Sequence, residues 1–358
     1  MKRFLAATLL MCIAAPVQGE DDIGEFETFG SYLENFRKES GTPSLSAAIV
    51  RDGAIVWESY LGVSDDEGEF PTSPETTYYI ASVTKPLAAT AILMEAEAGG
   101  LDLLLPMSSD EGWERTCEWL STSQIPFGAG GTDTFGNTIP AMDCAKRTTL
   151  EDMLDMRANG EVFVYNPIAY ARIDRAIEGA GGRPLRDIVR EHVADRVGMT
   201  DVALGWRDPQ GGAALRYLAP PFTVTDSGPE KAPLFDDDFR AAAGILASVR
   251  DLAAFEIAYE GGELVSDAER EDLVRRELPE LGDYRHGWWL SDWEGQRLQW
   301  HSGWEPGKYS AMYLKVPEQD LALIVLANTE LIWWGNSVVR AGIEDSPLAK
   351  RFLETFAR

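Results

Sequence analysis

Apolar residues recur at helical spacing through Phe26, Phe29, Leu33 and Phe36, and the run stops at Gly41-Thr42-Pro43. That is the pattern of an amphipathic helix closed by breakers. The period then changes. Leu45-Ser46-Ala47-Ala48-Ile49-Val50 and Ala54-Ile55-Val56-Trp57 flank Arg51-Asp52-Gly53, and two β-rich runs hinged on Asp-Gly predict a hairpin. The far end mirrors it: 309–316 and 321–327 read as strands joined by Pro317-Glu318-Gln319-Asp320, preceded by a strand pair near 288–293 and 297–301. A closing helix is predicted over 337–357, broken near Pro347. Between these ends, 86–98, 150–156, 169–178, 185–197 and 251–259 carry helical patterns.

This order predicts an α/β (α+β) chain: an antiparallel sheet flanked by helices, built from both chain ends, with an inserted and mostly helical domain. The boundaries fall at 20–80 and 245–358 for the sheet domain and 81–244 for the helical domain. Within the latter, 107–147 reads as a loop-rich insertion, and such long irregular stretches are usually functional or mobile. Its Gly128-Ala129-Gly130-Gly131 run lacks the strand, Lys-Ser/Thr and helix start of a phosphate loop.

Residues 1–19, MKRFLAATLLMCIAAPVQG, join a basic start to a short apolar run and a small-residue exit. They read as a secretory signal peptide, so a periplasmic or secreted protein with no stable membrane anchor is expected. The 358-residue chain carries a formal charge of −27, and removal of that segment takes away two basic residues and no acidic one. Such a balance argues against nucleic acid as a partner, because phosphate binding needs a basic footprint. The acidic runs Glu20-Asp21-Asp22 and Asp236-Asp237-Asp238 read as solvated surface. Cys12 leaves with the signal; Cys117 and Cys144 remain, and an oxidising compartment permits a bond that spacing alone does not show. There is no CxxC, no HExxH and no His/Cys cluster at metal-ligand spacing, so neither metal nor cofactor is expected.

Three segments carry candidate chemistry. In Ile80-Ala81-Ser82-Val83-Thr84-Lys85-Pro86, proline is tolerated only in a helix's first turn, so the helix begins beside Ser82 and Lys85 faces the same way one turn on. A lysine held near a buried hydroxyl can lose its proton and act as a base. Gln299-Trp300-His301-Ser302-Gly303-Trp304 ends a strand, with Gly303 permitting close backbone approach. Phe163-Val164-Tyr165-Asn166-Pro167 precedes an apolar helix, and a phenol beside a cation can relay protons. Taken singly, each has a plainer reading: a serine N-cap with a surface lysine, an edge-strand histidine, a packing tyrosine.

Together they resemble the serine β-lactamase and penicillin-binding-protein superfamily, and within it the class C β-lactamase-like group that includes esterases and D-aminopeptidases. Ser82-x-x-Lys85, Tyr165 and His301-Ser302-Gly303 match its Ser-x-x-Lys, Tyr-x-Asn and His-x-Gly marks in order and spacing. Val197-Gly198-Met199-Thr200-Asp201, the Ala242-Ala243-Gly244 to Asp251-Leu252 stretch and the hairpin from Val316 to Asn328 are similar too. The third position of Tyr-x-Asn is Pro167, although Asn166 next door could replace the amide.

The resemblance implies a β-lactamase/transpeptidase-like fold and acyl transfer through a covalent intermediate on a small-molecule or peptide-like substrate. Ser82 would attack the carbonyl, with Lys85 and Tyr165 sharing its proton; which of them is the base stays open. Backbone N–H groups of Ser82 and Trp304 would face the oxyanion, while Asn166, Ser302 and Gly303 would bind substrate and His301 would complete the catalytic set. An imidazole with an ordinary pKa near ~6.5 is mostly neutral at pH 7, unlike a lysine at that strand position. Esters or neutral-ended amides are therefore expected to outrank β-lactams. The rival expectation is a binding or sensor protein that keeps the fold without turnover. His192 reads as helix surface, His286 as a structural strand residue, and Trp57, Trp288, Trp289, Trp300 and Trp304 as divided between core packing and a cleft wall.

Overall fold

The computed structural model describes residues 20–234 and 238–358. The expected signal segment, 1–19, lies outside them, as does most of the 236–238 acidic run. The Asp-Gly hinge takes the backbone its chemistry favours. Asp52 and Gly53 both have positive φ, 51° and 68°, which matches the right-handed twist of the strands they join. Those strands are β1 (Ser44–Arg51) and β2 (Ala54–Gly62). The C-terminal part supplies β3 (Asp283–Arg285), β4 (Trp288–Trp293), β5 (Gln296–Glu305), β6 (Tyr309–Val316) and β7 (Leu321–Ala327).

All seven form one antiparallel sheet in the order β3-β4-β5-β6-β7-β1-β2. The two chain ends meet where β1 pairs with β7, from Leu45 opposite Ala327 to Arg51 opposite Leu321. β6 and β7 are buried at every position, whereas the edge strand β2 is half-buried. Continuous apolar runs such as Leu321-Ala322-Leu323-Ile324-Val325-Leu326-Ala327 suit a central strand covered on both faces. On one side α1 (Glu20–Ser40) and α4 (Pro347–Phe356) pack together, with Phe29 and Phe356 edge to face at 5.5 Å and Phe26 stacked on Phe356 at 5.2 Å. On the other lies α3 (Val249–Glu260), packed on β1 and β7. Lys315 on β6 is fully buried against α3, 3.3 Å from Glu256 and ion-paired with Glu260. A buried charge needs such partners, and burial still pushes the Glu256 carboxyl up to about 7.

α2 (Thr84–Glu97) is buried over nearly its whole first half, as expected of a helix apolar on all sides. A small sheet of Thr77–Tyr79, Ile245–Ser248 and Ala203–Leu204 ties the start of this region to its end. Residues 107–147 hold the helix Trp113–Thr122, and Cys117 is bonded to Cys144. No helix among the described residues is long and apolar enough to cross a membrane.

Several expectations are corrected. The closing helix is only α4, because Ser346 caps it and Pro347 occupies its first turn. Before it, neighbours use the backbone and side chains: the Tyr165 N–H donates to the Val338 carbonyl at 2.7 Å, and Ser337 bonds to Asp133. His192 is not solvated surface; its ring bonds Glu95 of α2 at 2.6 Å. His286 sits in the turn before β4 with φ 45°, paired with Glu269. The 169–178 helix divides into Pro167–Tyr170 and Ile173–Gly179.

Candidate active site

The strand Thr77–Tyr79 runs into a single 3₁₀ turn, Ala81–Val83, and then α2. Ala81 is held at φ 47°, a left-handed conformation that costs a side chain on the order of 1 kcal/mol. The turn is clamped: the Ile80 N–H donates to the Ile245 carbonyl at 3.1 Å, and the Ile245 N–H to Thr84 Oγ1 at 3.3 Å. Pro86 occupies the first turn of α2, where its missing N–H costs nothing. Ser82 is thereby left partly open at the head of a buried helix.

Lys85 points back along the helix to Ser82. Its Nζ lies 2.9 Å from Ser82 Oγ and donates to the Ala242 carbonyl at 2.9 Å. The side chain is fully buried, and burial holds the amine well below the usual lysine range. A carbonyl can only accept, so one amine hydrogen goes to Ala242 and the nitrogen lone pair of the neutral form is left for the serine proton. Tyr165 supplies the phenol. It lines the same cavity as Ser82, and burial raises its pKa, keeping it protonated. Its ring is stacked on Trp289 at 5.0 Å, with the Lys85 amine 4.9 Å from the ring centre. The phenol of Tyr165 thus joins the hydroxyl and amine that one turn of chain brings together.

Gly303 explains how β5 reaches this turn. A Cβ built there would sit 2.2 Å from the Ile80 carbonyl oxygen, so only a bare backbone allows the strand to lie beside the serine. Gly303→Ala should therefore displace the turn or the strand and lower kcat by about 100-fold, since small misplacements of reacting groups cost that much. Turnover measured beside thermal unfolding would check this; an unchanged rate would remove the close approach from the site's requirements.

Ser302 lines the cavity over the serine, but the His301 ring does not reach it. The imidazole is fully buried behind Tyr165, ring centres 5.7 Å apart. Its Nδ1 lies 2.8 Å from the Ser302 carbonyl and its Nε2 3.1 Å from the Tyr284 hydroxyl. Because the carbonyl only accepts, Nδ1 carries the hydrogen and Nε2 accepts from the phenol. Burial, reinforced by Lys85, holds its pKa well below the ordinary value. His301 is thus a neutral support under Tyr165 rather than a group on the cleft surface.

Asn166 is a second correction. Its Oδ1 accepts from the Ala169 N–H at 3.0 Å, capping the helix Pro167–Tyr170, and its amide turns to the Phe127 carbonyl at 3.3 Å. It is fully buried, and Pro167 faces the cavity instead. The N-cap preference of asparagine before proline was a signal for this role.

The cavity has a volume of about 580 Å³. Of the five tryptophans named from the sequence, Trp304 lines it, while Trp288, Trp289 and Trp300 are core and Trp57 packs against the α1 aromatics. Trp119, Trp333 and the Ala242 carbonyl were not legible as site components, because nothing local marks them. Among the described residues no group of three or more His, Cys, Asp or Glu could hold a metal ion.

The family profile described as Beta-lactamase matches residues 29–331. The chain is 38% identical over 81 residues to the mitochondrial serine beta-lactamase-like protein LACTB of Mus musculus, which is 23% of this chain and 15% of that protein. Its fold is similar to a class C beta lactamase from Rhodobacter sphaeroides, with TM-score 0.65 and 16% identity, covering 91% of this chain and 99% of that one. It is equally similar to the D-amino acid amidase from Ochrobactrum anthropi SV3, with TM-score 0.65 and 16% identity, covering 93% and 99%. The profile spans most of the chain and runs through the Ser82 turn, Tyr165 and the strand that carries Gly303. The chain belongs to the beta-lactamase family.

Proposed function

We propose that the protein is an exported serine hydrolase that cleaves esters or neutral-ended amides through an acyl-enzyme on Ser82, with little or no β-lactam hydrolysis. The observation that carries this reading is the buried Lys85 amine 2.9 Å from Ser82 Oγ. In the first step Ser82 Oγ bonds to the substrate carbonyl carbon as its proton passes to Lys85, and the developing oxyanion is met by the Ser82 and Trp304 backbone N–H groups. The bond to the leaving group then breaks, and that group takes a proton relayed through Tyr165. Water next attacks the acyl carbon, losing a proton to Lys85; the carbon–Oγ bond breaks as that proton passes to Oγ, and the acid leaves with Ser82 restored.

The opposite pKa directions favour Lys85 as the acceptor and Tyr165 as the relay. The neutral, buried His301 supports the substrate preference, since it places no fixed cation on the strand for a β-lactam carboxylate. Resemblance to a D-amino acid amidase keeps amides in the substrate class. Export is supported by the Cys117–Cys144 bond, which belongs to oxidising compartments.

A hydrolysis panel tests the reading. The value of kcat/KM for short-chain p-nitrophenyl esters should exceed that for a cephalosporin by about 10-fold or more, a difference of some 1.4 kcal/mol in barrier. A cephalosporin turned over faster than every ester and D-amino-acid amide would overturn it.

A further inference from the structure

Three tryptophans from separated stretches meet in the cavity that holds Ser82. Trp304 comes from β5, Trp333 from the segment after β7, and Trp119 from the helix Trp113–Thr122. The Trp304 and Trp333 rings are stacked, 4.2 Å between centres and 11° between planes. Glu330 accepts the Trp304 indole N–H at 2.8 Å. With that polar atom occupied, the pair presents a fixed apolar face.

These rings are not buried for packing. Trp304 is 39% exposed and Trp119 52% exposed, while Trp288, Trp289 and Trp300 are fully buried in the core. Large rings left open around a nucleophile in a cavity of small-molecule size mark a surface for an apolar group that docks there. The wall carrying Trp119 is held in place. Cys117, two residues earlier, is bonded to Cys144, and Arg172 bridges Asp110 just before this helix with a 2.7 Å contact. Rigid walls recognise shape without paying for their own ordering.

The leaving group departs in the first chemical step, but the acyl group stays bonded to Ser82 until water attacks. Fixed walls around the serine therefore act on the acyl group in both steps. We propose that this cavity selects acyl donors bearing a flat aromatic ring on the acyl side, with Trp119, Trp304 and Trp333 as its specificity-determining residues. The proposal rests on the serine-hydrolase reading and names its substrate class.

The test holds the leaving group constant. p-Nitrophenyl acetate, phenylacetate and the glutarate monoester are compared on the mature protein, the last because Arg175 and Arg240 line the same cavity. Wild type should favour phenylacetate over acetate by about 10-fold in kcat/KM, the scale of one aromatic contact with its burial. Trp119→Ala and Trp333→Ala should each lower the phenylacetate-to-acetate ratio of kcat/KM several-fold, whereas Trp333→Phe, which keeps a ring, should retain most of the preference. A wild-type preference for the glutarate ester, or a phenylacetate-to-acetate ratio unmoved in both alanine variants, would overturn the proposal.

Affinity for phenylboronic against methylboronic acid reads ring recognition without turnover. If no ester is hydrolysed but the phenyl compound binds about 10-fold tighter and loses that margin in Trp333→Ala, ring recognition stands and the hydrolase reading fails. Equal affinities in wild type would sink ring recognition on their own.

Discussion

Ser82→Ala should lower turnover by on the order of 10⁴-fold or more and remove covalent labelling by a fluorophosphonate, with no loss of folded protein. The size follows from losing the group on which the other residues of a nucleophilic set act, so their contributions vanish together. The fold should survive because Ser82 is partly open and alanine fits the 3₁₀ turn that already holds Ala81. Intact mass gives the result directly: one adduct on wild type and none on the variant, with the same unfolding temperature. An adduct of equal yield on Ser82→Ala would place the nucleophile elsewhere. Labelling of wild type without any substrate turnover would instead favour an acyl-trapping sensor.

Lys85→Ala should lower kcat by more than ~100-fold, and Tyr165→Phe by a similar factor, the usual scale of positioned proton transfer. The two differ in their pH profiles. Lys85 accepts a proton only as the neutral amine, and burial shifts its pKa well below the ordinary lysine value. Activity of the wild type should therefore fall as pH drops through that lowered pKa and be retained above it. This limb should vanish in Lys85→Ala and persist at reduced height in Tyr165→Phe. Lys85→Arg should be as impaired as the alanine variant, because a guanidinium stays charged and takes no proton. A limb that survives in Lys85→Ala would assign the base to another group.

The elements that were legible in advance share one property: their signals are local. The Asp52-Gly53 hinge, the short β-rich runs at 309–316 and 321–327, and Pro86 inside the first turn of α2 each express backbone preferences of a few adjacent residues. The Ser82–Lys85 pair is local as well, since three residues along a helix bring two side chains to one face. The misread closing helix fails for the complementary reason. Its apolar pattern continues through 337–346, but Tyr165 takes the Val338 carbonyl and Ser337 bonds to Asp133.

Sequence by itself determined the family, the sheet assembled from both ends, and which hydroxyl, amine and phenol belong together. Tertiary structure alone decided what each of those groups is worth. Lys85 loses its proton easily because the surrounding fold buries its amine completely, which disfavours the charged form. His301 is a buried support because Tyr284 and the Ser302 carbonyl occupy both nitrogens, and Asn166 is a cap because Ala169 and Phe127 claim its amide. A side chain's pKa and free hydrogen-bonding atoms depend on what surrounds it in space, and long-range packing supplies those neighbours.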